Sequence, residues 1–136
     1  MDRPQKKITI LSLQYHCYPD EVGGAWGLTY EINKRLVARG HKVYQITCKS
    51  VENQPSQEVI DGIQYHRISL RESKGILSLW NAIRKKVKAI LNLESIHLIH
   101  IHNPLIGFLA LLQPSLWKVP KVYHFHSSWF DEERIN

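Results

Sequence analysis

Four histidines of this chain are spaced so that they can act together on one ligand. His100 and His102 lie two residues apart in one apolar, β-branched segment, and His124 and His126 lie two apart in another. Because residues i and i+2 of a strand share a face, the four imidazoles converge if the two strands are neighbours. Converging imidazoles can bind zinc or another transition metal, or they can hydrogen bond to a ligand held in a crevice.

A metal site is the weaker of these two interpretations. Hydrolytic metal sites usually include a carboxylate, and no aspartate or glutamate lies beside either histidine pair. His100 and His124, the inner members, can be buried residues whose nitrogens are satisfied within the protein. His102 and His126 lie where the crevice of a parallel sheet opens, so they are better candidates for binding a ligand. We therefore expect no metal, and a histidine-based metal hydrolase is kept only as an alternative.

A glycine-bearing segment, Pro19–Gly27, follows the first apolar run of the chain and includes Gly23 and Gly24. If it joins a strand to a helix, the first amides of the helix can bind an anion. Glycines there let a phosphate approach the backbone without meeting a Cβ. The spacing matches neither the GxGxxG fingerprint of dinucleotide sites nor a Walker A loop. A phosphate-binding turn and a turn that only redirects the chain account for this segment equally well.

Four cations lie close together at Arg84, Lys85, Lys86 and Lys88. They fall on the polar side of a helical pattern, and a basic amphipathic helix can bind an anionic membrane. The favoured interpretation is a solvated helix whose apolar side covers the sheet, because the faces of a parallel sheet need helices. The run lacks interleaved aromatic residues and a recognisable reader motif, so we expect no nucleic acid to bind. The net charge of +6 favours anionic partners in general.

The elements that must position these residues alternate between strand and helix along the chain. A buried strand, a glycine-bearing turn, a helix ending near Gly40 and a second strand form a βαβ unit over the first fifty residues. Asp61-Gly62 predicts the turn of a small hairpin over 59–68. The other predicted strands cover 7–14, 41–48, 96–102 and 119–125, and the helices cover 28–39, 75–93 and 104–112. The sequence therefore predicts an α/β fold with a Rossmann-like, mainly parallel sheet and helices on both faces.

The composition indicates one ordinary domain over residues 1–136. Hydrophobic residues make up 43% and charged residues 22%, which excludes a disordered chain, and no apolar run reaches the roughly 18 residues of a membrane span. Two cysteines, Cys17 and Cys48, are too few for a disulfide scaffold and predict a reducing, cytoplasmic location. Cys17 adjoins His16, but no partner that would orient this histidine as a base is identifiable. Because a doubly wound sheet normally continues with further units, we expect the domain to be cut short at its C-terminal end.

Several segments, taken in order, resemble the N-terminal domain of the family 4-like retaining glycosyltransferases, which have the GT-B fold. The resemblance runs over about residues 7–130. The segments that carry it are Lys7–Leu13, Tyr18-Pro19, Gly23-Gly24, Leu36–Val43, Leu98–Pro104 and Lys121–Ser128. In the last segment a histidine followed by a small residue is usual for the family, and here His126 precedes Ser127.

The resemblance implies an enzyme that transfers a hexose from a UDP- or GDP-sugar to an acceptor with retention of configuration and without a catalytic metal or other cofactor. It implies that Gly23 and Gly24 contact the diphosphate or sugar of the donor. His126 would be the catalytic residue, hydrogen bonded to the donor sugar near the reacting carbon. His102 and Asn103 would line the acceptor side. The acceptor would be a glycan or a lipid-linked molecule, as in polysaccharide or glycolipid synthesis.

The resemblance also implies that the half of the enzyme that grips the donor is missing. That half is a C-terminal domain with a glutamate-bearing acidic motif and an Arg/Lys pair for the diphosphate. We therefore expect the chain alone to be inactive, as a truncated reading frame, a fragment, or one subunit of a split enzyme whose partner chain supplies the donor site. In some relatives the basic helix docks on lipid, so Arg84, Lys85, Lys86 and Lys88 are candidates for contact with the inner membrane face. A non-catalytic α/β module that binds a phosphorylated ligand is the alternative.

Overall fold

The computed structural model describes residues 6–16 and 24–124, which form a six-stranded sheet with α-helices on its two faces. The strands are β1 (Thr9–Leu13), β2 (Lys42–Cys48), β3 (Gln57–Ile60), β4 (Ile63–Ile68), β5 (Leu98–Ile101) and β6 (Lys121–Tyr123), and the helices are α1 (Gly24–Ala38), α2 (Ile76–Leu93) and α3 (Pro104–Leu111). The strand order is β3-β4-β2-β1-β5-β6, and every neighbouring pair is parallel except β3 with β4. The predicted mainly parallel α/β fold is confirmed.

β1 lies at the centre of the sheet, between β2 and β5, and all five of its residues are buried. A strand covered on both faces needs no alternation of apolar and polar residues, which explains its nearly continuous apolar run. Ile10 belongs to the hydrophobic cluster on the α1 side of the sheet. Leu11 and Leu13 belong to the cluster on the side of α2 and α3. The strand is therefore held from both faces, as its sequence predicts.

Two hydrophobic clusters, one on each face, attach the helices to the sheet. On one face, α1 contributes Tyr30, Leu36 and Val37 to a cluster with strand residues. On the other face, the larger cluster joins α2 and α3 to the central strands. Its buried helical members are Leu79, Ile83, Val87, Ile90, Ile106, Leu109 and Ala110. Helices on both faces are thus confirmed.

The hairpin predicted from Asp61-Gly62 is present as β3 and β4. Both turn residues have positive φ, 51° at Asp61 and 80° at Gly62, as the tight turns preferred by hairpins require. The Tyr30 hydroxyl donates a hydrogen bond to the Asp61 carboxylate, which ties α1 to this turn. The second strand, β4, then pairs in parallel with β2, so the hairpin extends the main sheet instead of standing apart.

Some element boundaries differ from the prediction, and Pro120 explains one of them. Proline has no backbone N–H, so it cannot donate to a strand ladder. Pro120 only accepts a hydrogen bond, from the Ile99 N–H (2.9 Å), and β6 begins one residue later at Lys121. The sequence also gave no sign of the short 3-10 helix Pro114–Leu116 that follows α3.

α2 presents one buried face to the sheet and leaves its start exposed. Leu79, Ile83, Val87 and Ile90 are buried at a helical spacing. This spacing confirms the interpretation in which the apolar side of the helix covers the sheet. In the described ranges, no helix has both the length and the apolar character needed to cross a membrane.

His66 in β4 lies beneath α2, and its burial predicts a pH effect on stability. Burial lowers the pKa of His66, and the nearby charge of Lys86 lowers it further. The unfolded chain therefore takes up this proton first, from about pH 6.5 downward, so the folded state loses stability as the pH falls. Above that pH the imidazole is neutral in both states and contributes no pH dependence. A His66→Gln variant should lose less stability than the wild type between pH 7.5 and pH 5.5 in urea unfolding; equal losses would contradict this assignment.

Candidate functional site

The strand order reverses between the carboxyl ends of β1 and β5, where open α/β sheets have their ligand crevice. From β1 the chain passes through α1 to β2 on one side, whereas β5 lies on the other side of β1. Ligands of open α/β sheets bind where the order reverses in this way, because the connecting segments diverge and leave a gap. The start of α1 and the segment after β5 border this gap. The start of α1 and the first histidine pair therefore lie at the same edge of the sheet.

Gly24 is the first residue of α1, and its position leaves room for a ligand. A Cβ built on Gly24 would meet no atom of residues 6–16 and 24–124 within 4 Å, so packing against these residues does not require a glycine there. Its φ is not in the left-handed region that favours glycine. Within the described residues, a larger side chain would therefore be tolerated at Gly24. Gly23, its predicted partner, lies outside the described residues.

Buried polar contacts fix the start of α1 relative to the crevice, and sequence patterns gave no sign of them. At the end of β1, the Gln14 side-chain amide lies 3.4 Å from Thr29 Oγ1 of α1 as a hydrogen-bond donor. One turn further, Asn33 Nδ2 donates to Gln45 Oε1 of β2 at 2.8 Å. All four side chains are buried. Hydrogen bonds of this kind have directional geometry, so they set the position of α1 more sharply than apolar packing does.

His16 is a further residue at this edge, and the sequence analysis used it only as a neighbour of Cys17. Its ring packs edge-on against Tyr15 (centroids 4.7 Å apart) and Trp26 of α1 (5.9 Å). Within the described residues, its buried Nδ1 has no hydrogen-bond partner. In the sequence, the feature that could have marked His16 as a candidate site residue was its position close to the glycine-bearing segment. Cys17 itself lies outside the described residues.

Cys48 does not offer a reactive thiol. It is buried at the end of β2, and this burial raises its pKa to about 12. The nucleophilic form of cysteine is the thiolate, which is scarce near neutral pH at that pKa. A thiol mechanism at Cys48 therefore has no support.

His102 lies immediately after β5 and is buried at the edge of the crevice. Its backbone N–H donates to Leu13 O of β1 at 2.9 Å, so it extends the ladder between the two strands that flank the crevice. Its ring lies 3.9 Å from that of His100 and 5.6 Å from that of His124, measured between centroids. The condition for convergence, that the two histidine strands be neighbours, is met for these three residues. His126 lies outside the described residues.

Asn103 follows His102 and caps α3. Its Oδ1 accepts a hydrogen bond from the Ile106 N–H at 3.1 Å, and Pro104 occupies the first helical position. Asparagine at the cap and proline just after it are preferred at helix starts because the first amides lack partners within the helix. The sequence resemblance implies that Asn103 lines the acceptor side, and the structure shows that Asn103 also caps α3.

The cap predicts a specific cost of mutation at Asn103. Asn103→Ala should lower the free energy of unfolding by about 1 kcal/mol, because the Ile106 N–H loses its acceptor. Asn103→Ser should retain most of this stability, since a serine hydroxyl can accept the same bond. Urea unfolding of both variants measures the difference. Equal stability of the two variants would show that the cap contributes nothing.

The four cations of the basic run lie on α2 and differ in environment. Arg84, Lys85 and Lys88 are exposed, and Arg84 stacks over the Trp80 ring at 5.7 Å. Lys86 is half-buried, and burial together with the charge of Lys49 lowers its pKa. A cavity of about 370 Å³ is lined by lysine, arginine, serine and other side chains of α2, β4 and the adjacent loops. Its polar members are Lys49, Ser56, Gln57, Arg67, Ser69, Glu72, Ser73, Lys85 and Lys86.

The sheet order, the helices on both faces and a helix start at the point of strand reversal define a Rossmann-like α/β domain. The chain belongs to Glycosyltransferase Family 4, whose profile matches residues 22–135. The predicted resemblance is thereby confirmed, and the chain is glycosyltransferase-like.

Solved structures with the same fold agree with this assignment. Sucrose-phosphate synthase from Thermosynechococcus elongatus is 18% identical with a TM-score of 0.66, over 94% of this chain and 35% of that enzyme. A second structure of the same enzyme gives a TM-score of 0.62 at 18% identity, over 93% of this chain and 67% of the other. The chain thus spans 35% of the length of the first structure. No curated protein gives a significant match to the sequence.

Proposed function

We propose that this chain forms the acceptor side of an enzyme that transfers a hexose from a UDP- or GDP-sugar to an acceptor, with retention of configuration. The observation that supports this most is at Gly24. Gly24 is the first residue of α1, and no atom of the described part of the chain lies within 4 Å of where its Cβ would be. The diphosphate or the transferred sugar of the donor would occupy that space, against Gly23 and Gly24.

The chemistry of transfer fits such a position. As the bond to the sugar breaks, the departing nucleoside diphosphate gains negative charge. Amides at the start of a helix stabilise an anion, and such preorganised dipoles contribute most when the charge develops in the transition state. The reacting carbon becomes oxocarbenium-like, so a hydrogen bond to the sugar can tighten at that point. We assign that hydrogen bond to His126. No metal or other cofactor is assigned a part in this step.

The acceptor would be held near the end of β5. His102 is a buried imidazole at the edge of the crevice, and Asn103 follows it. An imidazole can accept a hydrogen bond from a hydroxyl through one nitrogen while donating through the other. A sugar hydroxyl of a glycan or lipid-linked acceptor fits this pattern.

A second domain, in the same or a separate polypeptide, would complete the donor site. The test is a steady-state transfer assay with UDP- and GDP-hexoses, run on the 136-residue chain alone and after addition of the donor-binding domain of a family member. We expect no turnover by the chain alone and measurable transfer by the mixture, with the same anomeric configuration in donor and product. Turnover by the chain alone, or inversion, would contradict the proposal.

A peripheral contact with the inner, cytoplasmic membrane face would present the acceptor. Arg84, Lys85, Lys86 and Lys88 would meet anionic headgroups, although half-buried Lys86 can contribute least. Exposed apolar side chains near the start of α2 and on α3 would insert between the lipids, among them Ile76, Leu77, Phe108 and Leu112. Replacement of Arg84, Lys85 and Lys88 by glutamine should abolish co-sedimentation with anionic vesicles. Retained binding would contradict a membrane contact through these residues.

A non-catalytic role in binding a phosphorylated ligand is the second candidate, and the lysine-lined cavity favours it. Lys49 and Lys86 approach closely enough for the charge of Lys49 to lower the pKa of Lys86. A bound phosphate would relieve this repulsion, and the Ser73 hydroxyl could donate a hydrogen bond to its oxygens. This candidate predicts anion binding at the α2 cavity rather than at the start of α1.

A further inference from the structure

The strand pairing brings three histidines together at the edge of β5 and β6. His100 lies within β5, opposite Val122 of β6. His102 and His124 each follow the last residue of their strand, and the His124 N–H donates to Ile101 O at 2.8 Å. Successive side chains alternate between faces, so His100 and His102 share one face, and Val122 and His124 share the corresponding face of the neighbouring strand. The three imidazoles therefore project on the same side.

The ring geometry is close to that of a metal site. One nitrogen from each of the three rings can be chosen so that all three lie within 4.8 Å of one another. Ligand nitrogens around a tetrahedral zinc ion lie about 2.0–2.1 Å from the metal. The rings are inclined to one another by 41°, 28° and 26°, so binding one ion requires rotation about their side-chain torsions to turn the three nitrogens toward one centre. His124 is half-buried, which leaves a path from solvent.

The chemistry of the three ligand side chains favours one class of metal ion. Neutral imidazole favours zinc, copper and nickel, whereas magnesium and calcium prefer oxygen ligands. Within residues 6–16 and 24–124, no cysteine, aspartate or glutamate joins the group. Three histidines leave at least one coordination position for water or a further ligand.

We propose that His100, His102 and His124 form a binding site for one transition-metal ion, of which zinc is the representative. Convergence of the histidines requires that their strands be neighbours, and β5 and β6 are neighbours. The expectation of no metal rested on the missing carboxylate, on the inner histidines being buried residues and on the resemblance to enzymes without a catalytic metal, but three imidazoles suffice as protein ligands. The ion is assigned no step in sugar transfer; His102 is common to this site and to the proposed acceptor side, so a bound ion would occupy one of its nitrogens.

The test is zinc binding to the tag-free, chelator-treated chain, measured by calorimetry and by visible absorption after loading with cobalt. The wild type should bind one ion per chain and give the absorption of a tetrahedral cobalt site. His124→Gln removes the most accessible ligand and should weaken binding by about a hundredfold or more, since changes outside the ligand set already cost about 10–100-fold. Zinc should also protect the wild type, and not this variant, against thermal unfolding.

His97→Gln is the matched control, because His97 directly precedes β5 at its opposite end. This variant should bind zinc as the wild type does. A circular dichroism spectrum confirms that each variant folds, and if His124→Gln does not, His100→Gln replaces it. Absence of stoichiometric zinc binding by the wild type would overturn the proposal. Equal affinity of the wild type and the folded ligand variant would overturn it as well.

Discussion

A Gly24→Val variant should lose sugar transfer while its fold and stability stay intact. Among residues 6–16 and 24–124, the new side chain would meet no atom within 4 Å of its Cβ, and the φ of Gly24 is not in the left-handed region. A ligand phosphate or sugar at the same place would collide with the valine. Loss of one electrostatic contact to a developing anion typically costs about 10²–10³ in rate. We therefore expect a fall in transfer of at least about a hundredfold, in the presence of the donor-binding domain.

Ala38→Val is the matched control for Gly24→Val. It places the same side chain on an exposed position at the other end of α1. The control should transfer at the wild-type rate, and both variants should unfold at nearly the wild-type urea concentration. A Gly24→Ala variant should be as stable as the wild type or slightly more stable, because alanine has less conformational entropy than glycine in the unfolded chain. Normal transfer by Gly24→Val would mean that the start of α1 does not contact the donor.

The largest loss of stability is expected for Ile83→Ala. Ile83 is 0% exposed and lies in the cluster that attaches α2 to the sheet. Truncation of a fully buried isoleucine removes apolar contacts and leaves a cavity, which together cost about 2–5 kcal/mol. Because whole domains are stable by only about 5–15 kcal/mol, this is a large fraction of the total. Urea unfolding followed by circular dichroism measures the loss.

Leu77→Ala supplies the comparison within the same helix. Leu77 is 75% exposed, so its truncation should change the free energy of unfolding by no more than about 0.5 kcal/mol. If the chain docks on a membrane as proposed, the Leu77→Ala variant should bind anionic vesicles more weakly than the wild type does. Equal destabilisation by Ile83→Ala and Leu77→Ala would mean that the buried face of α2 has been assigned wrongly.

Much of the fold could be predicted because burial leaves a regular mark on the sequence. All five residues of β1 are buried because both of its faces are covered, and α2 repeats its buried residues with the helical period. Asp61-Gly62 predicts the hairpin because tight hairpin turns need residues that adopt positive φ, as both of these do. Each of these features depends on residues close together in the chain, so local patterns contain the information.

The arrangement of the site was harder to predict, because it depends on contacts between distant residues. His100 and His124 come together only because β6 pairs with β5. The sequence of neither segment specifies which strand lies beside it in the sheet. The polar bond from Asn33 to Gln45 and the cavity around Lys49 and Lys86 likewise join separate elements. Asn103 shows the same limit: the sequence suggested a ligand contact, and the structure adds a helix cap.

The central claim is that the donor's diphosphate meets the chain at the start of α1, between the ends of β1 and β5. Titration of the isotope-labelled chain with a UDP-hexose, followed by amide NMR spectra, tests this most directly. The account predicts that the amide signals of Gly24 and of the next residues of α1 shift first, together with those of His102 and Asn103. Shifts confined to Lys49, Ser69, Lys85 and Lys86, or an unperturbed Gly24 at saturation, would contradict it.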